Sequence, residues 1–379
     1  MADPSYLQMD RPQLNHRIEQ AQELLRSPCR VCPRGCKVDR TKDDHRGYCG
    51  VGAKALVAGS VAIPVEGSGP LIRGTPGAGE LVFASCNLRC VYCIAWRQSQ
   101  ERQGAELSSE QLARMMLNLQ EAGAVNISLL TPNMCGPQLL AALPYAIDHG
   151  LRLPLFYGTS CYDSLEMLRL LDGIVDVYGA TVKYSDDTTG ARFSGVSDYW
   201  SVAKAALKEM HRQVGVLDVK ESMPVRGLIV NYLVLPNGIA GTAKAMCFLA
   251  RELSVDTPVA FMLNYCPLYR ASDYPELARR ITGREYVRAV KAARKAGLRR
   301  LPGTGKRLAW IKQNPWINEI PAPYTVLPED DGQGIVAMFL QQGLREVLWE
   351  DDGKEDTADG QGASETAAAT VGSAGKATC

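Results

Sequence analysis

Three cysteines lie close together in the sequence Ser-Cys-Asn-Leu-Arg-Cys-Val-Tyr-Cys, which covers residues 85–93. We call Cys86, Cys90 and Cys93 the triad cysteines, and residues 85–93 the triad loop. Three thiolates at this Cys-x3-Cys-x2-Cys spacing can ligate three irons of a [4Fe–4S] cluster. The fourth iron then has no protein ligand, as in reactive metal centres that keep one position open for a small molecule. A zinc site is the alternative for the same thiols, but the spacing favours the cluster.

A second group of four cysteines occurs earlier, within 21 residues: Cys29, Cys32, Cys36 and Cys49, which we call the N-terminal cysteines. Four thiolates complete one site, either a second, fully ligated [4Fe–4S] cluster or a structural zinc site. We favour the cluster, because the triad cysteines already require cluster assembly and because a second cluster can pass electrons. Nearby basic residues would offset the thiolate charge: Arg30, Arg34, Lys37 and Arg40.

The elements that must position these cysteines follow from the hydrophobic pattern, in which strand-like apolar runs alternate with helical periodicity. The predicted strands cover residues 81–84, 125–130, 153–157, 174–178, 228–235 and 259–263. The predicted helices cover residues 108–122, 137–149, 163–171, 198–214, 241–252 and 284–297. Such alternation predicts an α/β fold of parallel β/α units, curled into a partial (β/α)6 barrel with an N-terminal Cys-rich, cluster-binding extension. The triad loop directly follows the first strand, at the end where such barrels carry their chemistry.

The composition is that of an ordinary globular chain of 379 residues, with 46 % apolar and 22 % charged residues. The 42 basic and 41 acidic residues nearly cancel, so a large nucleic-acid surface is not expected. No apolar stretch approaches the ~20 residues of a membrane span, and we expect no membrane association. The 12 cysteines are clumped and no export signal precedes them, so we expect reduced thiols and a cytoplasmic protein.

The triad loop resembles the signature of the radical S-adenosylmethionine (SAM) superfamily, including the aromatic Tyr92 before the last cysteine. Lys183 and the run Asn231-Tyr-Leu-Val-Leu-Pro-Asn237 are similar to the pyruvate formate-lyase activating enzymes. The Cys-Pro-Arg-Gly-Cys segment and four further stretches resemble their PflX-like relatives: residues 119–126, 171–178, 209–215 and 262–265. The resemblance covers about residues 29–300 and implies that the open iron binds SAM. One-electron cleavage of SAM then gives a 5′-deoxyadenosyl radical that abstracts hydrogen from a substrate.

Several residues at predicted strand ends are placed to contact SAM if the resemblance holds. By resemblance, Tyr92 packs near the adenine, and Lys183 binds a carboxylate of SAM or substrate. The other candidate SAM contacts are Thr131, Asn133, Thr159 and Asn264. Cys135, Cys161 and Cys266 follow strands two, three and six, where a thiol could quench a radical, anchor a substrate or ligate a further cluster. Buried packing is the alternative for each cysteine. We name Cys135, Cys161 and Lys183 as candidate catalytic residues.

The chain departs from the activating enzymes where those enzymes contact SAM. Many relatives have Gly-Gly-Glu-Pro after strand two, whereas this chain has Leu130-Thr-Pro-Asn-Met-Cys135. Thr181 stands where an Asp often precedes the lysine of strand four, and Asn231 replaces a basic residue. These departures favour a small-molecule substrate over a glycyl-radical enzyme, and a protein or peptide partner is the alternative. A third hypothesis, an electron-transfer protein or scaffold, fits the open iron poorly.

We therefore predict an oxygen-sensitive radical SAM enzyme with four regions. Residues 1–75 form a helix and the Cys-rich extension, 76–303 the barrel, 304–350 a C-terminal extension, and 351–379 a disordered tail. Trp310 and Trp316 in the C-terminal extension could close the barrel mouth against a protein partner. An electron donor such as flavodoxin or ferredoxin is the expected partner.

Overall fold

The computed structural model of the chain describes residues 3–62, 77–220, 223–263 and 265–314. The strands are β1 (Ala55–Ala62), β2 (Ala78–Phe83), β3 (Ala105–Leu107), β4 (Asn126–Leu130), β5 (Leu155–Thr159), β6 (Val177–Val182), β7 (Asp218–Lys220), β8 (Met223–Leu233) and β9 (Val259–Met262). The helices are α1 (Arg11–Glu23), α2 (Trp96–Ser99), α3 (Ser109–Glu121), α4 (Gly136–Asp148), α5 (Leu165–Leu170), α6 (Asp187–Ser194), α7 (Tyr199–Val214), α8 (Thr242–Glu252), α9 (Gly283–Ala296) and α10 (Thr304–Gln313).

The six predicted strands are all present and form one parallel array. They pair in the order β2, β4, β5, β6, β8, β9, and each neighbouring pair is parallel. Across the described ranges β2 and β9 do not pair with each other, so the array stays open. The partial (β/α)6 barrel is thereby confirmed. Because the strands are parallel, their C-terminal ends share one edge, which carries the triad loop.

The sequence forms these elements for simple reasons of burial and capping. β5 and β6 are buried at every position, as expected for parallel strands between a barrel interior and covering helices. α3 buries one face at helical spacing, and a capping box of Ser108 and Gln111 begins it. Thr282 and Glu285 form a second capping box at the start of α9.

The N-terminal part joins the same sheet, which the hydrophobic pattern did not reveal. β1 pairs antiparallel with β2, and β3 pairs antiparallel with β1. At the other end of this segment, α1 packs on α4, and the Ser5 amide donates a hydrogen bond to Asp176 (2.9 Å). The Cys-rich segment therefore packs directly against the barrel.

The C-terminal part of the described chain ends in α10, which packs on α9. Gly283 leaves room for Ile311 of α10, and Arg307 donates a hydrogen bond to the carbonyl of Phe261. Trp310 is 39 % exposed. Trp316 and the predicted tail, residues 351–379, lie outside the described residues. None of the helices in the described ranges is long and apolar enough to cross a bilayer.

Candidate active site

The triad loop leaves the C-terminal end of β2 and turns sharply. Ser85 adopts a φ of 74°, a left-handed conformation that is uncommon for a residue with a side chain. The amide of Cys93 donates a hydrogen bond to the carbonyl of Cys90 (3.1 Å), which closes the second half of the loop into a turn. Cys90 is buried, and Cys86 and Cys93 are partly buried. The three thiols thus lie on one compact loop at the barrel mouth.

Each triad sulfur has a hydrogen-bonding neighbour. The Leu88 amide donates to Cys86 Sγ (3.4 Å), Cys90 Sγ lies 3.0 Å from Ser194 Oγ, and Cys93 Sγ lies 3.1 Å from Ser99 Oγ. Burial, and then the neighbouring Cys90, raise the pKa of Cys86 to about 12. Three thiolates therefore need a compensating positive charge here, which a bound metal would supply. Hydrogen bonds to cluster sulfurs tune such centres.

Lys183 brings a positive charge to this group from the neighbouring strand end. It follows β6, and its amide donates a hydrogen bond to the Tyr199 hydroxyl (2.9 Å). Its charge acts to lower the pKa of Cys86, Cys93 and Cys161, so the ammonium lies near enough to these thiols to stabilise their ionised form. In the part of the chain that the structure describes, its ammonium has no carboxylate partner. A cation in this position can receive an anionic group of a ligand.

Tyr92 is held in a buried chain of hydroxyl groups. Its hydroxyl donates to that of Tyr184 (2.5 Å), which lies 2.9 Å from Ser194 Oγ, the neighbour of Cys90 Sγ. Its ring makes edge contacts with Tyr184 and Tyr265. The chain fixes the far side of the triad loop, and the predicted contact of Tyr92 with adenine stays a prediction.

Asn133 and Thr159 are brought together by a residue that the sequence did not single out, Asp163. The Asn133 Nδ2 donates to Thr159 Oγ1 (2.7 Å) and to Asp163 Oδ1 (2.6 Å), and Thr159 Oγ1 donates to Asp163 Oδ2 (2.5 Å). All three side chains are buried. Burial raises the pKa of Asp163 from 3.8 to about 6, although these hydrogen bonds favour the ionised form. Its position four residues beyond a strand end was the available signal.

The other residues predicted to lie at the barrel mouth differ in how deeply they are buried. Thr131 is partly buried, with a φ of 60°. Cys135 and Cys161 are fully buried, and burial raises the pKa of Cys135 to about 11. Cys266 is buried, with its sulfur 3.9 Å from an Arg280 nitrogen. Asn264 lies outside the described residues.

The N-terminal cysteines also converge. The amide of Cys29 donates to the carbonyl of Cys36 (2.8 Å), and the amide of Tyr48 donates to Cys36 Sγ (3.4 Å). Burial raises the pKa of Cys32 to about 12, and the other three N-terminal cysteines each raise it further. All four thiols therefore surround one place.

One basic residue near these thiols is deeply buried. Arg40 is 2 % exposed and donates to the carbonyls of Gly52 (3.3 Å) and Met134 (2.8 Å). The ion pairs of the described ranges do not include it, and its charge acts on the thiol of Cys135, which also lies near Cys49. A buried cation without a carboxylate partner is costly, so an anionic centre nearby would stabilise it.

The two groups of cysteines touch through their loops. The Ser85 hydroxyl donates to the carbonyl of Cys49 (2.6 Å), and Arg34 Nε donates to the carbonyl of Asn87 (2.9 Å). The guanidinium carbons of Arg34 and Arg89 lie 3.5 and 4.6 Å from the centroid of the Tyr48 ring. The extension therefore supports the triad loop directly.

The spacing of the sulfurs bears on which metal fits. Tetrahedral zinc with Zn–S bonds near 2.3 Å would hold sulfurs roughly 3.8 Å apart. Among the described residues, which include all seven of these cysteines, only Asp43, His45 and Glu106 bring three ligand atoms within 4.8 Å of one another. Within neither group of thiols do three sulfurs all lie within 4.8 Å of one another.

Comparison with known proteins agrees with this site. A family model described as "Radical SAM superfamily" matches residues 81–225, from β2 into β8. A Methanocaldococcus jannaschii protein named "Uncharacterized protein MJ0674" is 25 % identical over 293 residues, which cover 75 % of this chain and 79 % of that protein.

Three solved structures are similar at low identity. SuiB of Streptococcus suis bound to precursor peptide SuiA has a TM-score of 0.40 and 12 % identity, over 64 % of this chain and 49 % of that one. A radical SAM methyltransferase from Sphaerobacter thermophilus has a TM-score of 0.39 and 14 % identity, over 60 % of this chain and 66 % of that one. HydG, a maturase of the [FeFe]-hydrogenase, has a TM-score of 0.39 and 14 % identity, over 78 % of this chain and 64 % of that one. The chain thus spans about half the length of SuiB.

Proposed function

We propose that the chain is a radical SAM enzyme and that the triad cysteines hold a [4Fe–4S] cluster that cleaves SAM, because the radical SAM family model matches residues 81–225. The observation that carries the proposal is the convergence of three thiols and one unpaired ammonium, that of Lys183, at the C-terminal edge of the barrel. The thiols supply three ligands and leave one iron open. The ammonium supplies the complement to a ligand carboxylate.

When bound, the cluster supplies one electron that splits SAM into methionine and a 5′-deoxyadenosyl radical, which abstracts hydrogen from the substrate. The residues of the chain hold the cluster and orient SAM. Ser99 and Ser194 donate hydrogen bonds to thiolate sulfurs, and Lys183 binds the SAM carboxylate. Tyr92, Thr131, Asn133, Thr159 and Asn264 are the proposed further SAM contacts. Cys135 and Cys161, both fully buried, remain the proposed catalytic residues together with Lys183.

We propose a second [4Fe–4S] cluster, rather than zinc, on the N-terminal cysteines. The buried Arg40, which has no carboxylate partner among the described residues, supports an anionic centre there. The short link from Cys49 through Ser85 to the triad loop would also couple such a cluster to the first one. A flavodoxin or ferredoxin is the proposed electron donor.

For the substrate we propose a small molecule. The loop between β9 and α9 folds against the triad loop, since the Arg270 amide donates to the carbonyl of Val91 (2.8 Å). Tyr265, in the same loop, packs its ring against Tyr92. These contacts narrow the approach to the triad cysteines. A protein or peptide partner, of glycyl-radical type, is the alternative.

The proposal is tested by anaerobic reconstitution with iron and sulfide, reduction and addition of SAM. We expect 5′-deoxyadenosine from the wild type, none from Cys86→Ala, and wild-type amounts from Cys247→Ala, a cysteine on α8. A wild type that carries a cluster but forms no 5′-deoxyadenosine would overturn the proposed function. With deuterated candidate substrates, small molecules and peptides alike, deuterium in the product nucleoside would identify the hydrogen donor.

The second centre is tested by metal analysis of a variant in which all three triad cysteines are alanine. About four irons per chain are expected on the N-terminal cysteines. Zinc without iron would instead establish the structural site.

A further inference from the structure

A third group of metal-ligating side chains lies outside the two groups of cysteines. Asp43 and His45 stand in the loop between Cys36 and Cys49, and Glu106 lies in β3. Among the described residues, these are the three His, Cys, Asp or Glu side chains whose ligand atoms all lie within 4.8 Å of one another. We call them the surface cluster. All three are exposed, so a metal ion in solution can reach them.

The distances in the surface cluster match those between the ligands of one zinc ion. Zinc bonds to imidazole nitrogen and carboxylate oxygen are about 2.0–2.2 Å long, which places neighbouring ligand atoms of a tetrahedron about 3.3–3.6 Å apart. His45 Nε2 lies 3.3 Å from Asp43 Oδ1 and 3.6 Å from Glu106 Oε1. The ligand types also favour zinc, because calcium and magnesium prefer oxygen ligands alone, whereas imidazole suits zinc.

The imidazole of His45 is oriented for this role by a group outside the surface cluster. Its Nδ1 lies 3.0 Å from the carbonyl oxygen of Gly50. A carbonyl only accepts hydrogen bonds, so Nδ1 carries the hydrogen, and in the neutral ring the free lone pair is on Nε2. Histidine ligands of metals usually donate their other ring hydrogen in this way, which fixes the tautomer and the orientation of the ring. Nε2 is the atom that lies near both carboxylates.

Gly52 leaves space beside the ligand atoms. A methyl group on its Cα would lie 2.2 Å from Asp43 Oδ1 and 2.8 Å from His45 Nε2. The loop is also held in place here, since the amide of Ala53 donates a hydrogen bond to Asp43 Oδ1 (3.0 Å). An alanine at position 52 would therefore intrude on the place where these two ligand atoms converge.

We propose that Asp43, His45 and Glu106 bind one zinc ion, with water in the fourth position. The ion joins the loop that carries Cys49 to β3, and so fastens the Cys-rich extension beside its last cysteine. The two carboxylates balance the charge of the ion. The proposal is independent of the proposed function, because none of its three residues belongs to either group of thiols.

The test is equilibrium dialysis of the cluster-loaded, full-length protein against Zn²⁺ under anaerobic conditions, followed by analysis of zinc and iron. We expect the wild type to bind one zinc ion more than His45→Ala, with equal iron contents. Zinc on the N-terminal cysteines would add equally to both proteins and leave this difference unchanged. The matched control is His149→Ala, which should bind zinc as the wild type does. His149 also places its Nδ1 near a carbonyl, that of Tyr145 (2.8 Å), but it forms no ion pair within the described ranges.

Two further variants test the geometry. Glu106→Gln removes a charged ligand, and Gly52→Ala adds the intruding methyl group. Each should raise the dissociation constant for Zn²⁺ at least about tenfold. In the wild type, Zn²⁺ should also slow amide hydrogen exchange in residues 43–53 and 105–107, with no such effect in His45→Ala.

Equal zinc in the wild type and His45→Ala would overturn the proposal and would show that the surface cluster forms ion pairs only. If His45→Ala loses iron through misfolding, the zinc affinity of Glu106→Gln decides. Failure of the proposed function gives a different result, namely a wild type that forms no 5′-deoxyadenosine although it binds the zinc ion.

Discussion

Replacing Asp163 by asparagine removes a titrating group from the barrel and nearly preserves the shape of the side chain. Burial dominates the environment of this carboxyl and raises its pKa from 3.8 to about 6, against the hydrogen bonds from Thr159, Tyr157 and Asn133 that act in the opposite direction. The ionised form is therefore less stable in the folded protein than in the unfolded chain. The stability of the wild type should depend on pH through this group, and that of Asp163→Asn should not.

The sign and size follow from linkage. The folded state binds the proton of Asp163 more tightly than the unfolded state, so its contribution to stability is fully present below pH 3.8. The contribution is lost as the pH rises through about 6. At ~1.4 kcal/mol for each unit of difference, the whole effect is about 3 kcal/mol. About half of it falls between pH 5 and 7.5, where the cluster-loaded enzyme can be handled.

The assay follows thermal unfolding of the anaerobic, cluster-loaded wild type and Asp163→Asn in parallel between pH 5 and 7.5. All other titrating groups are shared, so the difference between the two midpoints isolates Asp163. The wild type should gain about 3 °C relative to the variant on going from pH 7.5 to 5. Infrared spectroscopy should show a protonated carboxylic acid band that titrates near pH 6 and is missing from the variant. Parallel melting curves together with no such band would refute the reasoning.

Lys183→Met should weaken SAM binding about tenfold, because it removes a charge-assisted contact, while the iron content stays unchanged; unaltered affinity would contradict its role. Arg40→Met should lower the iron bound by the N-terminal cysteines, because two carbonyls lose their donor and the thiolates lose a cation. Iron counts in the background without triad cysteines measure this, and full occupancy would show that Arg40 does not support the centre. Tyr92→Phe should cost about 1 kcal/mol of stability through the lost hydrogen bond to Tyr184, seen as a lower melting midpoint; an unchanged midpoint would contradict that bond.

The parallel part of the fold could be predicted from the sequence because each of its elements repeats one strong signal. Every predicted strand lies between helices and is buried on both faces, so it appears as a continuous apolar run, as in β5 and β6. β1 and β3 lack that signal. β1 is Ala- and Gly-rich and partly exposed along its second half, and β3 has only three residues. Such antiparallel strands depend on the strands that they pair with, which local sequence does not contain.

The candidate site could be predicted where its ligands lie close together in the sequence at a characteristic spacing. The triad cysteines and the N-terminal cysteines are local patterns, so their spacing alone predicts a ligand role. The role of Asp163 is not local, because it depends on Asn133, which lies 30 residues away on another strand end. Its function as a partner becomes visible only when β4 and β5 are paired. The sequence named Asn133 and Thr159 but not the residue that orients them.

The positions of the charged residues are also more informative than the net charge of the chain. The chain is almost neutral, with a net charge of +1, and that balance gave no hint of a cluster-binding site. Two of the described cations that form no ion pair, Arg40 and Lys183, however, each act on thiols of the site. Arg40 is buried within the extension, and Lys183 ends β6 opposite the triad cysteines. Burying a cation without a carboxylate partner is unfavourable unless an anion compensates it, so negatively charged thiolates nearby would stabilise the buried Arg40. Arg40 and the partly buried Lys183 therefore support, independently of the cysteine spacing, the proposal that both groups of thiols are ionised and bind metal.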